Sequence, residues 1–588
     1  MNRPTLLLAL AAGLLTPTSV GAQWGNPARA RLQDLIEDLW RLERVENPLV
    51  ATDAGDHRYN ARLPSVAKED EYRRAEMRRA FLKRLRAINR RRLAPDDQVT
   101  YDVFLRHLDD QIADFEFGAY VLRVNADYGF HMTFADLPGH VPLFTAQDYD
   151  NYIARLRAFR TYMDQNVALM RLGMERGFTV PRAALQGYEA TITPHVVDDP
   201  EQSVFWAPFE TFPVGVPERE RAGLREAGRA AITDSVIPAY RTFLDFMTRE
   251  YIPGARTTIS ASELPNGEAY YQLLVRRYTT LDLTPDSIHT IGVSEVERIR
   301  AEMDQVIREI GFEGDFAAFL RFLRTDPRFY AKTPDDLLRE ASWIAKRMDG
   351  KLPSLFRSLP RLPYGVEPVP AHAAPKSAAG RYIPASRGGK RAGSYWLNTH
   401  MLESRPLFAL EALTLHEAVP GHHLQIALAQ ELRGLQALRS LGAAAAFIEG
   451  WGLYAERLGL EAGFYTDPYR NFGRLSSEMW RACRLVVDTG IHALGWTREH
   501  AMQYLEANTA LSLHEIRTEV DRYVSWPGQA LSYKLGELTI RELRREAEHA
   551  LGARFDVRAF HDAVLRNGEV PLPVLEEQVR AWVRSGGP

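Results

Sequence analysis

The side chains best suited to chemistry lie in residues 415–425, LHEAVPGHHLQ. This segment holds three histidines and one glutamate: His416, Glu417, His422 and His423. A later apolar segment, IEGWGLYAE, adds the carboxylates of Glu449 and Glu456. Imidazole nitrogens and carboxylate oxygens are the usual zinc ligands, and hydrolytic zinc takes three from the protein and leaves one position open. The pattern therefore predicts a His2Glu zinc site on two helices.

The spacing of the histidines predicts a break in the first of these helices. The residue four after His416 is Pro420, so the short HExxH form is absent. In a straight helix His423 would lie on nearly the same face as His416 but roughly 10 Å further along, too far to share a zinc ion. Proline removes a helical donor and glycine tolerates unusual dihedrals, so we expect a bend at Pro420-Gly421. We predict His416 and His422 as ligands across it, with His423 as the alternative.

Glu417 follows His416 directly and is the predicted general base. A carboxylate in this position takes the proton from the attacking water and delivers it to the leaving amine. The alternative for the whole segment is a buried, histidine-rich helix that holds no metal.

Four motifs carry a resemblance to a known family. HEAVPGHHLQ, EGWGLYAE, RLVVDTGIHALGW and RYVSWPGQALSYKLG, in this order, resemble the bacterial family catalogued as domain of unknown function 885, over nearly the whole mature chain. That family is similar to the helical zinc peptidases, such as angiotensin-converting enzyme, thimet oligopeptidase and carboxypeptidase Taq. The resemblance implies a mostly helical metallopeptidase that uses Zn2+.

The resemblance also implies roles for single residues. The resembling families place their third ligand at the position of Glu449, which leaves Glu456 to orient a histidine. WPGQALSYKLG is similar to a carboxypeptidase Taq segment and implies Tyr533 as the donor to the developing oxyanion, with His492 as a second candidate. Four cations could hold a substrate carboxylate or equally form internal ion pairs: Arg481, Arg484, Arg522 and Lys534.

Helical spacing over most of the chain predicts a mainly α fold: a large two-lobed body around a cleft, with a small β-sheet next to the metal site. We expect one helical metallopeptidase-like domain over 23–588, with a long helix at 218–250 that bends at Pro238. The segments RLPYGVEPVP, GRYIPAS and GSYWLNT predict the sheet. The resembling peptidases bind substrate by strand addition at this place, which implies residues 394–398, with Tyr395 and Asn398 near substrate. A structural hairpin is the alternative.

The first 22 residues are typical of a secretory signal. Arg3 precedes a short apolar core, and small residues end at Ala22. No cysteine follows this cleavage site, so we expect no lipid anchor. The one cysteine, Cys483, excludes an internal disulfide and is predicted to be a buried apolar residue. We therefore expect a bacterial enzyme that is located in the periplasm or secreted.

Composition and charge limit the classes of binding partner that we expect. The 588 residues are 45% hydrophobic and 25% charged, which is ordinary for a soluble globular protein. A net charge of −3 gives no reason to expect nucleic acid or an anionic membrane as partner. A small peptide substrate is expected.

Three functions remain open. The first is zinc-dependent hydrolysis of peptide bonds in short peptides, favoured by a deep cleft. The second is a carboxylate-bridged di-iron helical protein, which would need two Glu-x-x-His motifs that the candidate segments do not show. The third is a non-catalytic periplasmic binding protein, against which the intact Glu417 argues.

Overall fold

The computed structural model describes residues 26–371, 373–385, 391–433 and 444–587. Helices make up 71% of the structure, and one three-stranded sheet interrupts them, so the predicted mainly α class with a small sheet is confirmed. The leader predicted at 1–22 lies outside the described residues. Within those ranges, no helix has both the length and the apolarity needed to cross a bilayer.

The chain before the sheet folds into helices of very different lengths. They are α1 (Pro27–Glu46), α2 (Pro48–Asp53), α3 (Lys68–Arg86), α4 (Pro95–Phe117), α5 (Phe130–Ala135), α6 (Leu137–His140), α7 (Ala146–Glu175), α8 (Ala207–Glu210), α9 (Glu218–Ala231), α10 (Ile237–Phe246), α11 (Ile252–Gly254), α12 (Gly267–Thr279), α13 (Pro285–Ile310), α14 (Phe316–Thr325), α15 (Pro334–Asp349) and α16 (Leu352–Leu355). Local signals fix the ends of α13: Thr284 caps its first turn and Gly311 ends it in the left-handed conformation.

The helix predicted at 218–250 is interrupted just before Pro238. Between α9 and α10 the segment Ile232–Val236 widens into a π-helical turn, immediately before Pro238. Proline has no N–H to donate to the preceding turn, and a π turn accommodates the lost bond. A second π segment, Met247–Tyr251, follows α10.

The sheet has the strand order β1-β3-β2, with β1 (Tyr364–Pro368), β2 (Gly380–Ile383) and β3 (Gly393–Leu397). β3 pairs in parallel with β1 and antiparallel with β2. Both of its edges are occupied, so the prediction that residues 394–398 bind substrate by strand addition is wrong. Tyr395 is fully buried, and the Asn398 amide donates to the carbonyls of Ala374 and Ser377.

After the sheet the chain is again helical. The helices are α17 (Leu407–Glu417), α18 (His422–Gln430), α19 (Ala445–Glu461), α20 (Pro468–His492), α21 (Arg498–Asn508), α22 (Leu513–Ser525), α23 (Ser532–Leu551), α24 (Val557–Leu565) and α25 (Leu572–Arg584). α17 packs against both α19 and α20, while α13 lies along α20 and α19 lies along α23. α17 and α19, which carry His416 and Glu449, are therefore direct neighbours.

Two glycines let α19 and α23 touch through their backbones. A Cβ at Gly536 would lie 1.9 Å from the carbonyl oxygen of Ala446 and 2.8 Å from the Cα of Gly450. No side chain larger than hydrogen fits at this crossing without moving a helix. The crossing fixes Glu449 on α19 relative to Tyr533 on α23.

We expect Gly536→Ala to destabilise the protein by at least about 2 kcal/mol, because the added methyl group overpacks a backbone contact. Gly223→Ala on α9 is the matched control, since nothing lies within 4 Å of a Cβ there. That change should stabilise the helix by about 0.5–1 kcal/mol. Urea unfolding of both variants measures the difference, and a neutral Gly536→Ala would contradict the close crossing.

Candidate metal centre

Three predicted ligands converge at the contact between α17, α18 and α19. One ligand atom each from His416, His422 and Glu449 lie within 4.8 Å of one another. The Oε2 atom of Glu449 is 3.6 Å from Nε2 of His416 and 3.5 Å from Nε2 of His422. Among residues that the structure describes, this is the one group of three or more histidine, cysteine, aspartate or glutamate side chains with such spacing.

The break after α17 brings the two imidazoles together. α17 ends at Glu417 and α18 begins at His422, so the bend predicted at Pro420-Gly421 is present. A Cβ at Gly421 would lie 1.9 Å from the carbonyl oxygen of His416, so only glycine allows the chain to fold back this closely. Trp451 on α19 donates its indole N–H to the carbonyl of Pro420 at 2.9 Å. The bend is thus tied to the helix that carries Glu449.

α19 also fixes the orientation of His416. The Nδ1 atom of His416 is 2.8 Å from Oε1 of Glu456, which leaves Nε2 facing Glu449. A Cβ at Gly452 would lie 2.7 Å from the His416 ring, so the ring packs directly on the α19 backbone. Arg481 on α20 lies 3.4 Å from the same oxygen of Glu456. A carboxylate that holds the far nitrogen of a ligand histidine is a common arrangement around metals.

The electrostatics of the centre favour a cation. Burial lowers the pKa of His416, but its bonds with Glu449 and Glu456 outweigh burial and raise that pKa to about 10. Burial would also raise the pKa of Glu449, yet the imidazoles of His416 and His422 hold it well below its usual value. The buried carboxylate of Glu456 and the half-buried carboxylate of Glu449 thus stabilise positive charge at the imidazole between them.

The donor set and its spacing fit zinc. Ligand atoms around a tetrahedral zinc ion at about 2.0–2.2 Å are separated by roughly 3.3–3.6 Å. The two histidine–glutamate separations, 3.6 and 3.5 Å, fall within or at the edge of this range. Two imidazoles and one carboxylate also match the ligand set of hydrolytic zinc.

His423 faces away from this group. Its Nδ1 atom is 2.9 Å from the hydroxyl of Tyr382, and its ring centre is 4.4 Å from that of Tyr364. Burial lowers the pKa of His423 to about 4, although a hydrogen bond with the backbone of Leu362 acts to raise it. His422, rather than the alternative His423, is therefore the histidine that the bend brings to His416.

The predicted base and oxyanion donor lie beside the three ligands. Glu417 is 8% exposed at the end of α17 and borders Gly380 at the start of β2. The ring of Tyr533 is nearly parallel to that of His416, with centres 6.3 Å apart. Arg522 donates to the Tyr533 hydroxyl oxygen at 3.2 Å, which leaves the hydroxyl proton available.

His492, the second candidate for oxyanion donor, is not brought to this group. Its Nδ1 accepts the N–H of Ala261 at 3.0 Å, and its Nε2 is 3.0 Å from the carbonyl of Tyr523. The side chain is fully buried, and burial lowers its pKa to about 3. Both ring nitrogens are used inside the fold, so no donor is left for a substrate.

The four candidate cations divide by their partners. Lys534 is fully buried between Glu295, Glu478 and Glu537, at 2.9–3.0 Å, so it belongs to the scaffold. Arg484 donates to Glu519 at 2.9 Å. Arg484 and Arg522 are held near the centre by a carboxylate and a tyrosine, and Arg481 lies 3.4 Å from Glu456.

Two residues of the centre are not predicted from the sequence. Trp451 and Gly452 lie inside EGWGLYAE, between the carboxylates of Glu449 and Glu456. Their roles depend on which α19 face meets α17, which helical spacing alone does not give. Glycine in a helix interior costs stability, and that cost was the one available signal for a close approach.

Fold and site together define a helical protein with a candidate His2Glu metal centre on adjacent helices. The chain belongs to a bacterial family: the pattern of the family described as "Bacterial protein of unknown function (DUF885)" matches residues 48–579. A comparison with functionally curated proteins gave no match.

Solved structures share the fold. A crystal structure of a protein from Colwellia psychrerythraea, provisionally described as a lipoprotein, is 28% identical with a TM-score of 0.88 and covers 95% of this chain and 99% of its own. A similarly described protein of unknown function from Shewanella oneidensis is 17% identical with a TM-score of 0.65, covering 94% and 99%. The second likeness bears on the fold alone.

We expect His422→Ala to lose zinc and His423→Ala to keep it, because only His422 faces Glu449. Metal content after dialysis is measured by atomic emission. Zinc should also raise the melting temperature of the wild type and of His423→Ala, since a ligand that binds only the folded state stabilises it. Retained zinc in His422→Ala with loss in His423→Ala would reverse the assignment.

Proposed function

We propose that the protein is a zinc-dependent hydrolase of peptide bonds in short peptides. The observation that carries this proposal is the spacing of His416, His422 and Glu449, with the carboxylate of Glu417 adjacent in sequence to the first ligand. A di-iron site would need more carboxylates than this group supplies. A binding protein would not require Glu417.

Zinc held by the three ligands would polarise the scissile carbonyl and lower the pKa of the attacking water towards about 7. Glu417 takes the proton of that water and passes it to the leaving amine. Its burial supports this role, because a carboxylate shielded from bulk water keeps the proton within the site.

Tyr533 donates its hydroxyl proton as a hydrogen bond to the carbonyl oxygen, where negative charge develops. Its hydroxyl oxygen is held by Arg522, and the guanidinium of Arg484 lies 4.2 Å from its ring centre. Two arginines thus restrain the ring that has to stay in place during the reaction.

β2 is the better candidate for strand addition. It is an edge strand in the described sheet, and its first residue, Gly380, borders Glu417. An extended peptide paired along this edge would run past the general base. This geometry favours short, unfolded substrates over folded proteins.

An extracytoplasmic location is part of the proposal. The apolar N-terminal stretch of the sequence and the lipoprotein description of the Colwellia psychrerythraea protein support it. Short peptides outside the cytoplasm are then the substrate pool.

The first test is a mixed peptide library incubated with the wild type, with Glu417→Gln and with chelator-treated protein. We expect cleavage by the wild type and a loss of about 10²–10⁴-fold in kcat for Glu417→Gln, since general base catalysis is removed. Mass spectrometry identifies the products. Zinc-loaded protein that cleaves nothing would refute peptide hydrolysis, and undiminished Glu417→Gln would refute the assigned base.

Tyr533→Phe tests the oxyanion donor. We expect kcat to fall by about 10²–10³-fold with KM little changed, because the hydroxyl acts mainly on the transition state. Tyr454→Phe, on α19 but paired with His561, is the matched control. An unchanged kcat in Tyr533→Phe would remove the residue from the mechanism.

A further inference from the structure

A small cavity lies between α17, α20 and the sheet. Its volume is about 70 Å³. Its apolar lining includes five leucines, Phe408 and Trp480, and its charged lining is Arg405, Arg481 and Glu515.

The cavity begins one helical turn from the proposed base. Leu413 and Glu417 are four residues apart on α17, so they share one face. Both flank Gly380: a Cβ there would lie 3.2 Å from Cδ1 of Leu413 and 3.4 Å from Cγ of Glu417. Since Glu417 delivers a proton to the leaving amine, the neighbouring cavity faces the amine side of the cleaved bond.

The two arginines are buried with donors to spare. Arg405 is 6% and Arg481 is 4% exposed, and the Nε atom of each has no hydrogen-bond partner in the part of the chain that the structure describes. The nearest carboxylate to Arg405 is that of Glu515, which also lines the cavity, at 4.0 Å and beyond hydrogen-bond distance. Arg481 donates one terminal N–H group to Ser477 and lies 3.4 Å from Glu456 through the other terminal nitrogen. Buried N–H groups of a charged side chain favour an anionic oxygen as partner.

The size of the cavity restricts what enters. A cavity of about 150 Å³ binds benzene, so a space less than half as large excludes an aromatic ring. Alanine or valine side chains are small enough, and the leucine wall offers them apolar contacts.

Resting on the proposed hydrolase function, we propose that this cavity binds the C-terminal residue of the peptide, with a small aliphatic side chain inside and the free carboxylate on Arg405 and Arg481. The protein is then a carboxypeptidase that removes one residue. The water oxygen bonds to the last peptide carbonyl carbon and the C–N bond breaks. Protons from that water leave with the amine, so the products are a shortened peptide and a free amino acid.

Three N-acetylated tetrapeptides that differ only at the C-terminus test this directly. They end in valine with a free carboxylate (the valine acid), valine with an amide (the valine amide) and phenylalanine with a free carboxylate (the phenylalanine acid). We expect cleavage of the last bond in the valine acid, with kcat/KM at least tenfold lower for each of the other two. Equal rates for acid and amide, or a preference for phenylalanine, would overturn the proposal.

Single substitutions test whether the cavity causes the preference for a free C-terminal carboxylate. Arg405→Gln should reduce the preference for acid over amide at least tenfold, mainly through KM, and Arg405→Lys should restore part of it. Arg249→Gln, an exposed arginine on the surface, is the control and should leave the preference unchanged. If Arg405→Gln does not fold, Ala409→Leu fills the cavity from α17 and should raise KM for the valine acid. An unaltered preference in a folded Arg405→Gln or an unaltered KM in Ala409→Leu would refute the site.

A binding measurement separates this proposal from the hydrolase proposal. Zinc-loaded Glu417→Gln protein is titrated calorimetrically with the valine acid and the valine amide. At least tenfold tighter binding of the acid, lost in Glu417→Gln/Arg405→Gln, supports the cavity even if the wild type hydrolyses no peptide. Hydrolysis by the wild type together with equal binding of acid and amide would leave the hydrolase standing and reject the cavity as a carboxylate site.

Discussion

The candidate centre depends on one reversal of the backbone between His416 and His422. A continuous helix would separate histidines six residues apart by roughly 9 Å, so the ligands meet only because four residues leave the helical path. Gly421 permits the chain to fold onto the carbonyl of His416, and the indole of Trp451 donates to the carbonyl of Pro420 at the turn. A buried turn without such a donor would leave an unpaired carbonyl. The helix that stabilises the turn is also the one that supplies Glu449.

Charge balance is the second constraint. Glu449 and Glu456 approach His416 from opposite sides, and Arg481 lies against Glu456. Buried carboxylates are costly unless a cation accompanies them. The two carboxylates raise the pKa of His416, so they favour a proton or another cation beside them. A divalent cation in place of the proton would satisfy the same carboxylates, so the surroundings of the ligands suit the ion that their chemistry selects.

Features of this molecule that follow from local sequence patterns are predictable, whereas those that depend on long-range contacts are not. Helical spacing and the three aromatic, Pro/Gly-bounded segments gave the class of fold, and the histidine spacing with Pro420 gave the bend. The order of the strands could not be predicted, because the residue pattern of a strand is the same at the centre of a sheet as at its edge. The structural role of His492 could not be predicted either. Its two ring nitrogens are hydrogen-bonded to the backbones of Ala261 and Tyr523, which are both distant in sequence. Tyr533 came from the family resemblance, and nothing in its own segment predicts its place beside His416.

α17 connects the candidate metal centre to the proposed substrate cavity. His416 faces α19 from one side of this helix, while Leu413 and Glu417 share a face that borders β2 at Gly380. A residue bound in the cavity therefore lies along the same helix that carries the base. Small shifts of α17 would move the base and the cavity wall together, because a rigid helix keeps residues one turn apart in register. In the proposed carboxypeptidase, catalysis and recognition of the leaving residue would be coupled through this single helix, and a substrate that fits the cavity poorly would also be misplaced relative to Glu417.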